Sequence, residues 1–129
     1  MFDRGVRGNL LEVLKAMFNR CRIHVGVDGQ ISEPFIPKVG VLQGSVLSPL
    51  LFAIMLDTLP RDLRMAGGGV NVAEIGHINA LLYADDVVIV VESVAKARHA
   101  LRIVEDHARC FRYMWSTAKS VVLQCGNVT

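Results

Sequence analysis

Apolar residues recur at Leu10, Leu11, Val13, Leu14, Met17, Phe18 and Cys21, the three-and-four spacing of one helix face. Asn9 with Glu12 three residues on is a capping-box pattern and predicts the start of this helix. Two β-prone stretches, residues 22–27 and 30–35, flank Asp28-Gly29. That dipeptide tolerates the positive φ angles of a two-residue hairpin turn. Pro34 and Pro37 predict that the second strand lies on an edge or ends early.

Ser48-Pro49 predicts the next helix start, with a capping hydroxyl followed by the residue that tolerates having no amide donor. Residues 50–56 are apolar on every side, so this helix is expected to be buried. Pro60 should end or kink it. Gly67-Gly68-Gly69 reads as a loop and residues 70–75 as a short strand. Residues 77–83 and 87–91 fit a hairpin with its turn at Ala84-Asp85-Asp86. Ser93 caps a long helix with an apolar stripe at Val94, Ala97, Leu101, Val104, Ala108, Phe111 and Trp115, expected to face a sheet or another helix. Residues 120–125 form a last β-prone run, ended by Gly126-Asn127. With no repeat and no polar linker, the pattern predicts one compact unit. Helices interleaved with hairpins favour an α+β fold over a doubly wound parallel sheet.

The composition supports a folded chain. Its 129 residues are 52% hydrophobic and 20% charged, with mean hydropathy +0.40, which excludes disorder. The longest wholly apolar runs, residues 50–56 and 87–91, fall far short of the roughly 20 residues that cross a bilayer. The amino terminus has no secretory h-region, so an intracellular chain without a membrane partner is expected. A net charge of +2 and a pI near 8.6 are milder than the usual footprint of a nucleic-acid-binding domain. Arg98, Arg102, Arg109 and Arg112 therefore read as the wet face of the long helix. Cys21, Cys110 and Cys125 are odd in number, scattered and without zinc spacing, which predicts reduced, mostly buried thiols.

Asp85-Asp86 interrupts the apolar stretch LLYADDVVIVV. Adjacent carboxylates between two apolar strands repel one another unless water or a cation offsets the charge. Two readings stand at this point: a solvated hairpin turn, or a divalent-metal site of the kind carboxylates and substrate phosphates build around Mg²⁺. The segment GVLQGSVLSPLLF also stands out. Gly40 and Gly44 bracket Gln43, allowing close backbone approach to a ligand and an amide contact to a sugar or base edge. A loop that merely feeds a core helix remains the competing reading.

Together and in this order, these segments resemble the palm of a reverse transcriptase, most closely that of non-LTR (LINE-type) retrotransposons. GVLQGSVLSPLLF is similar to that family's G-V-x-Q-G-x-x-L-S-P-L-L-F segment, and Tyr83-Ala84-Asp85-Asp86 to its [FY]-A-D-D box, about forty residues later. Lys119-Ser120 resembles the downstream K-[ST] segment, and Phe2-Asp3 the end of the L-D-x-x-x-A-F-D motif. The resemblance covers essentially the whole chain. It implies a partial reverse transcriptase domain over residues 1–129: a palm-like antiparallel sheet with helices packed on one face, fingers and thumb absent. It implies catalytic and metal-binding roles for Asp85 and Asp86, and contacts to deoxynucleotide and template from Gln43 and Gly44. Phe2 would lie under the sugar, Tyr83 near the primer end and Lys119 beside the leaving pyrophosphate. The implied cofactor is Mg²⁺, two ions in the intact parent. The implied partners are an RNA template, a DNA primer and a deoxynucleoside triphosphate.

The departures shape the expected activity. The first Asp of L-D-x-x-x-A-F-D falls ahead of Met1, and Ser116 stands where the family often has Asn. The chain is therefore expected to be a fragment of an RNA-directed DNA polymerase, inactive alone, and to self-associate through surfaces that fingers and thumb would cover. A non-catalytic retroelement remnant acting as a binding or structural module is the first alternative. A palm-like cyclase or other phosphotransferase is the second, though the Gln-Gly segment has no evident role in it.

Overall fold

The computed structural model describes residues 5–126, which group into two compact units divided after Ser48. The first holds α1 (Gly8–Asn19) and the two-residue strands β1 (Gly26–Val27) and β2 (Gln30–Ile31). The second holds the helices α2 (Ser48–Leu56, opening at the boundary), α3 (Thr58–Met65) and α4 (Val94–Phe111). It also holds the strands β3 (Val70–Val72), β4 (Gly76–Ile78), β5 (Ala80–Tyr83) and β6 (Asp86–Ile89). Helices mixed with small antiparallel sheets make this an α+β arrangement. The strands form three separate two-stranded sheets, β1–β2, β3–β4 and β5–β6, where a single sheet is expected from the sequence.

In the first unit, α1 begins one residue before Asn9, and the extended residue that caps it, Arg7, makes no side-chain cap bond. Asn9 therefore lies inside the first turn and cannot supply the cap that its spacing suggests. The apolar stripe of α1 buries Leu14 and leaves Leu10, Val13 and Met17 about half exposed. The Asp28-Gly29 hairpin forms as expected, with φ of 50° and 77° at its two turn residues. Its ladder continues to an isolated bridge between Ile23 and Phe35, and Pro34 interrupts regular pairing just before that point.

In the second unit, α2 ends at Leu56 and α3 begins at Thr58, so the break falls just ahead of Pro60. Pro60 occupies the first turn of α3, where an amide donor has no helical partner, while its ring would clash with the carbonyl of Leu56 in a continuous helix. Ser48 is the first residue of α2, and its buried Oγ has no hydrogen-bond partner among the described residues, so the expected hydroxyl cap is not made. The expected full burial of α2 is not seen either. Leu51 and Leu56 are buried, but Leu50 is 57% exposed and Ala53 also faces outward. An all-round apolar helix needs neighbours on every side, and its neighbours here lie on the Phe52–Met55–Leu56 side.

The core is Leu56, Leu59 and Leu63 against Ala100 and Val104 of α4, with Ala80, Leu82, Val87 and Ile89 of the β5–β6 hairpin packed on it. The strands alternate strictly: those four side chains face the helices, and Leu81, Tyr83, Asp86 and Val88 face away. Helices thus cover one face of this hairpin. The expected continuous strand over residues 77–83 is split at Asn79. Its buried amide donates to the carbonyl of Pro60, and its own carbonyl accepts from Val90.

α4 is capped as expected, the Ser93 hydroxyl accepting from the Lys96 amide at 3.2 Å. Its buried face is Ala100, Val104, His107 and Ala108, whereas Val94, Leu101 and Phe111 of the expected stripe lie on the open side. Alanines win the contact because small side chains let α4 approach α3 closely. The helix ends at Phe111, before Trp115, because Arg112 takes the left-handed conformation (φ 58°) and turns the chain. Trp115 still reaches the core, its indole donating to the Val104 carbonyl at 3.3 Å. Residues 120–125 form no strand, since no other strand pairs with them among the described residues. Two of the three cysteines, Cys110 and Cys125, are exposed, which corrects the expectation of mostly buried thiols.

Candidate metal and nucleotide site

The acidic pair sits at the tip of the β5–β6 hairpin, held by the register Tyr83↔Asp86. The turn is Ala84-Asp85 alone, and Asp86 is already the first residue of β6, so the strand starts one position earlier than the sequence pattern suggests. Ala84 has φ +51° at the first turn position, where a tight hairpin prefers glycine. A left-handed non-glycine residue costs of order 1–3 kcal/mol and persists only where the surroundings impose it. Such strain gathers at functional sites.

Both carboxylates are exposed, and neither makes a hydrogen bond or ion pair among the described residues. Asp86 shares the outer face of the hairpin with Tyr83, which is 82% exposed. Two adjacent, unengaged carboxylates are the donor set that a hydrated divalent cation takes when substrate phosphates complete its shell, so these residues fit such an ion. Among the described residues no cluster of three or more His, Cys, Asp or Glu side chains could hold a metal by itself.

Gln43 and Gly44 lie in the first unit, at the two central positions of a β-turn closed by the Ser45 amide on the Leu42 carbonyl at 3.2 Å. Gly44 has φ +85°, the value that a type II turn demands of its third residue. Gln43 is exposed at the apex. The Ser45 hydroxyl accepts from the Leu47 amide at 3.4 Å and its carbonyl from the Ser48 amide at 3.2 Å, so the turn runs directly into α2. Lys119 is exposed in the second unit, within a single turn closed by Lys119 and Ser120 amides on the Ser116 carbonyl. Phe2 lies outside the described residues. Arg98, Arg102, Arg109 and Arg112 are solvated, as expected, with Arg109 paired to Asp106 at 3.0 Å.

Sequence reasoning missed one polar cluster. His107, only 4% exposed, contacts Thr58 Oγ1 through Nε2 at 2.7 Å and the Tyr113 hydroxyl through Nδ1 at 2.8 Å. Burial pushes the His107 pKa below 6.5, partly opposed by the negative charge of Asp62. The Tyr113 phenol is pushed up to about 12 by burial. No local pattern marks this cluster, because Thr58 and His107 are 49 positions apart.

The profile of the family described as reverse transcriptase (RNA-dependent DNA polymerase) matches residues 3–128. The chain is 43% identical over 81 residues to a retrovirus-related Pol polyprotein from the type-2 retrotransposable element R2DM of Drosophila melanogaster. That alignment covers 61% of this chain and 7% of the relative. It is also 29% identical over 122 residues to the RNA-directed DNA polymerase from mobile element jockey of Drosophila funebris, covering 93% of this chain and 13% of the relative. The chain thus spans a small part of the length of either relative. No solved structure matches.

Proposed function

The chain belongs to the reverse transcriptase (RNA-dependent DNA polymerase) family, and we propose that it forms the palm region of a non-LTR retroelement polymerase, with Asp85 and Asp86 as its metal-binding acids. The family uses divalent metal and nucleic-acid partners; Mg²⁺, an RNA template and a DNA primer are the specific assignments made here. The observation that carries the proposal is the two-residue turn that presents two unengaged carboxylates beside an exposed tyrosine. A two-residue hairpin turn takes a positive φ at its first position in any case, so the weight falls on the two unengaged carboxylates and the tyrosine that faces the same side as Asp86.

A bound divalent ion supplies positive charge for the oxygens of phosphoryl transfer. The chain's own residues hold and orient. Asp85 and Asp86 offer oxygen ligands from a hairpin whose inner face is fixed by the core. Tyr83 offers a flat surface to the primer end. Gln43 and Gly44, at a turn apex with an open backbone, are assigned to the incoming deoxynucleotide and the template. Phe2 is assigned to the sugar and Lys119 to the leaving pyrophosphate. Positioning and charge stabilisation of this kind are the main protein contribution to nucleotidyl transfer. Exposed apolar side chains such as Val121, Val122 and Leu123 support self-association of the chain, which sedimentation velocity over a concentration series would detect as a rising sedimentation coefficient.

The test is electron paramagnetic resonance of Mn²⁺ titrated into the chain with a deoxynucleoside triphosphate, alongside primer extension on an RNA template. Asp85→Asn and Asp86→Asn should each weaken protein-dependent Mn²⁺ binding by about tenfold, the equivalent of 1.4 kcal/mol. Gln43→Ala should weaken the nucleotide and leave Mn²⁺ alone unaffected. Unchanged Mn²⁺ binding in both Asp variants would remove the metal assignment. Any primer extension by the chain should vanish with Asp85→Asn.

A further inference from the structure

We propose that His107 is a positioning residue, which ties the segment from Tyr113 to the Lys119 turn onto the α2–α3 junction through a hydrogen-bond relay that requires a neutral imidazole. Only its catalytic consequence rests on the assignment of Lys119 to the leaving group; the tether itself stands on geometry.

With a neutral imidazole, the relay has one consistent proton arrangement. The Thr58 hydroxyl donates to the Met55 carbonyl at 2.8 Å, so toward His107 its oxygen accepts. His107 Nε2 must then carry the proton and donate. Its Nδ1 is left with a lone pair and accepts from the Tyr113 hydroxyl. The chain therefore runs Tyr113 O–H to Nδ1, then Nε2–H to Thr58, then O–H to the Met55 carbonyl. Every polar atom of the buried ring is used in this neutral arrangement.

The tether reaches further than one side chain. Tyr113 stacks edge-on against Trp115, ring centres 5.2 Å apart, and the Tyr113 amide returns to the Ala108 carbonyl at 3.0 Å. Trp115 is anchored on Val104. The next residue, Ser116, accepts the bonds that close the turn bearing Lys119. His107 also lies against Phe111, with ring centres 4.6 Å apart. Beyond Arg112, Tyr113 and Trp115 are thus the side chains joining this segment to the core.

A proton on Nδ1 would replace the lone pair with a second N–H, facing a hydroxyl that was its donor. The imidazolium would also be buried. The charged and titratable groups around the ring are few. Asp62 of α3 favours the charged form, and Arg61 lies 3.7 Å from that carboxylate. Asp57 precedes Thr58, and α2 carries no charged side chain. From the tethered segment the only titratable group in contact is Tyr113. On α4 itself, Asp106 and Arg109 are exposed and paired with each other. Burial outweighs Asp62, so acid should release the segment before the unit unfolds.

Trp115 is the only tryptophan, which makes its fluorescence a direct readout of the segment. The experiment follows emission maximum and iodide quenching from about pH 8 to pH 5 on the full chain, with far-ultraviolet circular dichroism in parallel. The expected result is a red shift and stronger quenching with a midpoint below 6.5 while the helical signal is retained. Tyr113→Phe, which removes the donor to Nδ1, should move that midpoint upward. His107→Gln should abolish the transition. A flat Trp115 profile, a transition that coincides with loss of helix, or one that survives both substitutions unchanged would overturn the proposal. Should Lys119→Ala leave any primer extension intact while the fluorescence transition persists, the catalytic assignment fails and the tether stands.

Discussion

At the residue scale, backbone conformation separates positions that look alike in the sequence. Gly67 and Gly69 belong to one glycine triplet, yet only Gly69 is enclosed. A Cβ there would fall 2.5 Å from His77 Nε2 and 2.7 Å from the Ile78 carbonyl oxygen, whereas at Gly67 it would meet nothing within 4 Å. Both have positive φ. Gly67→Ala should therefore cost only the strain of a left-handed alanine, about 1 kcal/mol. Gly69→Ala adds collision with backbone and should cost roughly 3 kcal/mol or more. Urea denaturation of the two variants checks the contrast. Ala84 is the inverse case, a side chain where glycine fits better. Ala84→Gly should stabilise the second unit by about 1 kcal/mol while loosening the turn that presents Asp85. A gain in stability together with weaker Mn²⁺ binding would show that the strain serves the site.

At the element scale, two helix starts carry similar sequence signals and differ in structure. Ser93 accepts the Lys96 amide, so Ser93→Ala should cost about 1 kcal/mol of unfolding free energy. Asn9 lies within α1, and Asn9→Ala should change stability by less than about 0.5 kcal/mol. Thermal or urea unfolding of the pair distinguishes a used cap from a pattern that only resembles one. The same contrast explains what the sequence could reveal. The Asp28-Gly29 turn, the Ser93 cap and the hairpin around the acidic pair depend on neighbours within a few residues, and they are legible. The phase of α4 depends on α3, which selects Ala100 and Ala108 over Leu101 for close approach. Residues 120–125 have strand propensity, but a strand requires a partner, and propensity contains no information about one. The metal-binding candidates were legible because their chemistry is written in adjacent letters. The Thr58–His107–Tyr113 relay was not, because its members meet only when α3 and α4 pack.

At the scale of the whole molecule, three shifted groups among the described residues shape the dependence of stability on pH. His107 has a folded-state pKa below its unfolded value of 6.5, so the unfolded chain binds more protons there and stability rises with pH through that window. The contribution is complete above about 6.5 and is lost as pH falls toward the folded pKa. Glu92 is also lowered, from 4.5, by its hydrogen bond to and the charge of Lys96, so its small contribution is present above 4.5 and lost in stronger acid. Because that pair lies at the surface, salt should screen it. Tyr113 acts in the opposite sense. Its folded pKa, about 12 against 10, means that the folded chain holds a proton the unfolded chain releases, so stability falls as pH rises above 10. Stability should therefore reach a plateau between about 6.5 and 10, with the acid side set first by His107 and the alkaline side by Tyr113. Urea midpoints across that range test the shape. Tyr113→Phe should remove the part of the alkaline fall that Tyr113 causes, and His107→Gln should flatten the slope just below 6.5 without altering the Glu92 region. An acid slope that persists unchanged in His107→Gln would place its origin in other groups and dissociate the buried relay from the stability of the unit that carries Asp85 and Asp86.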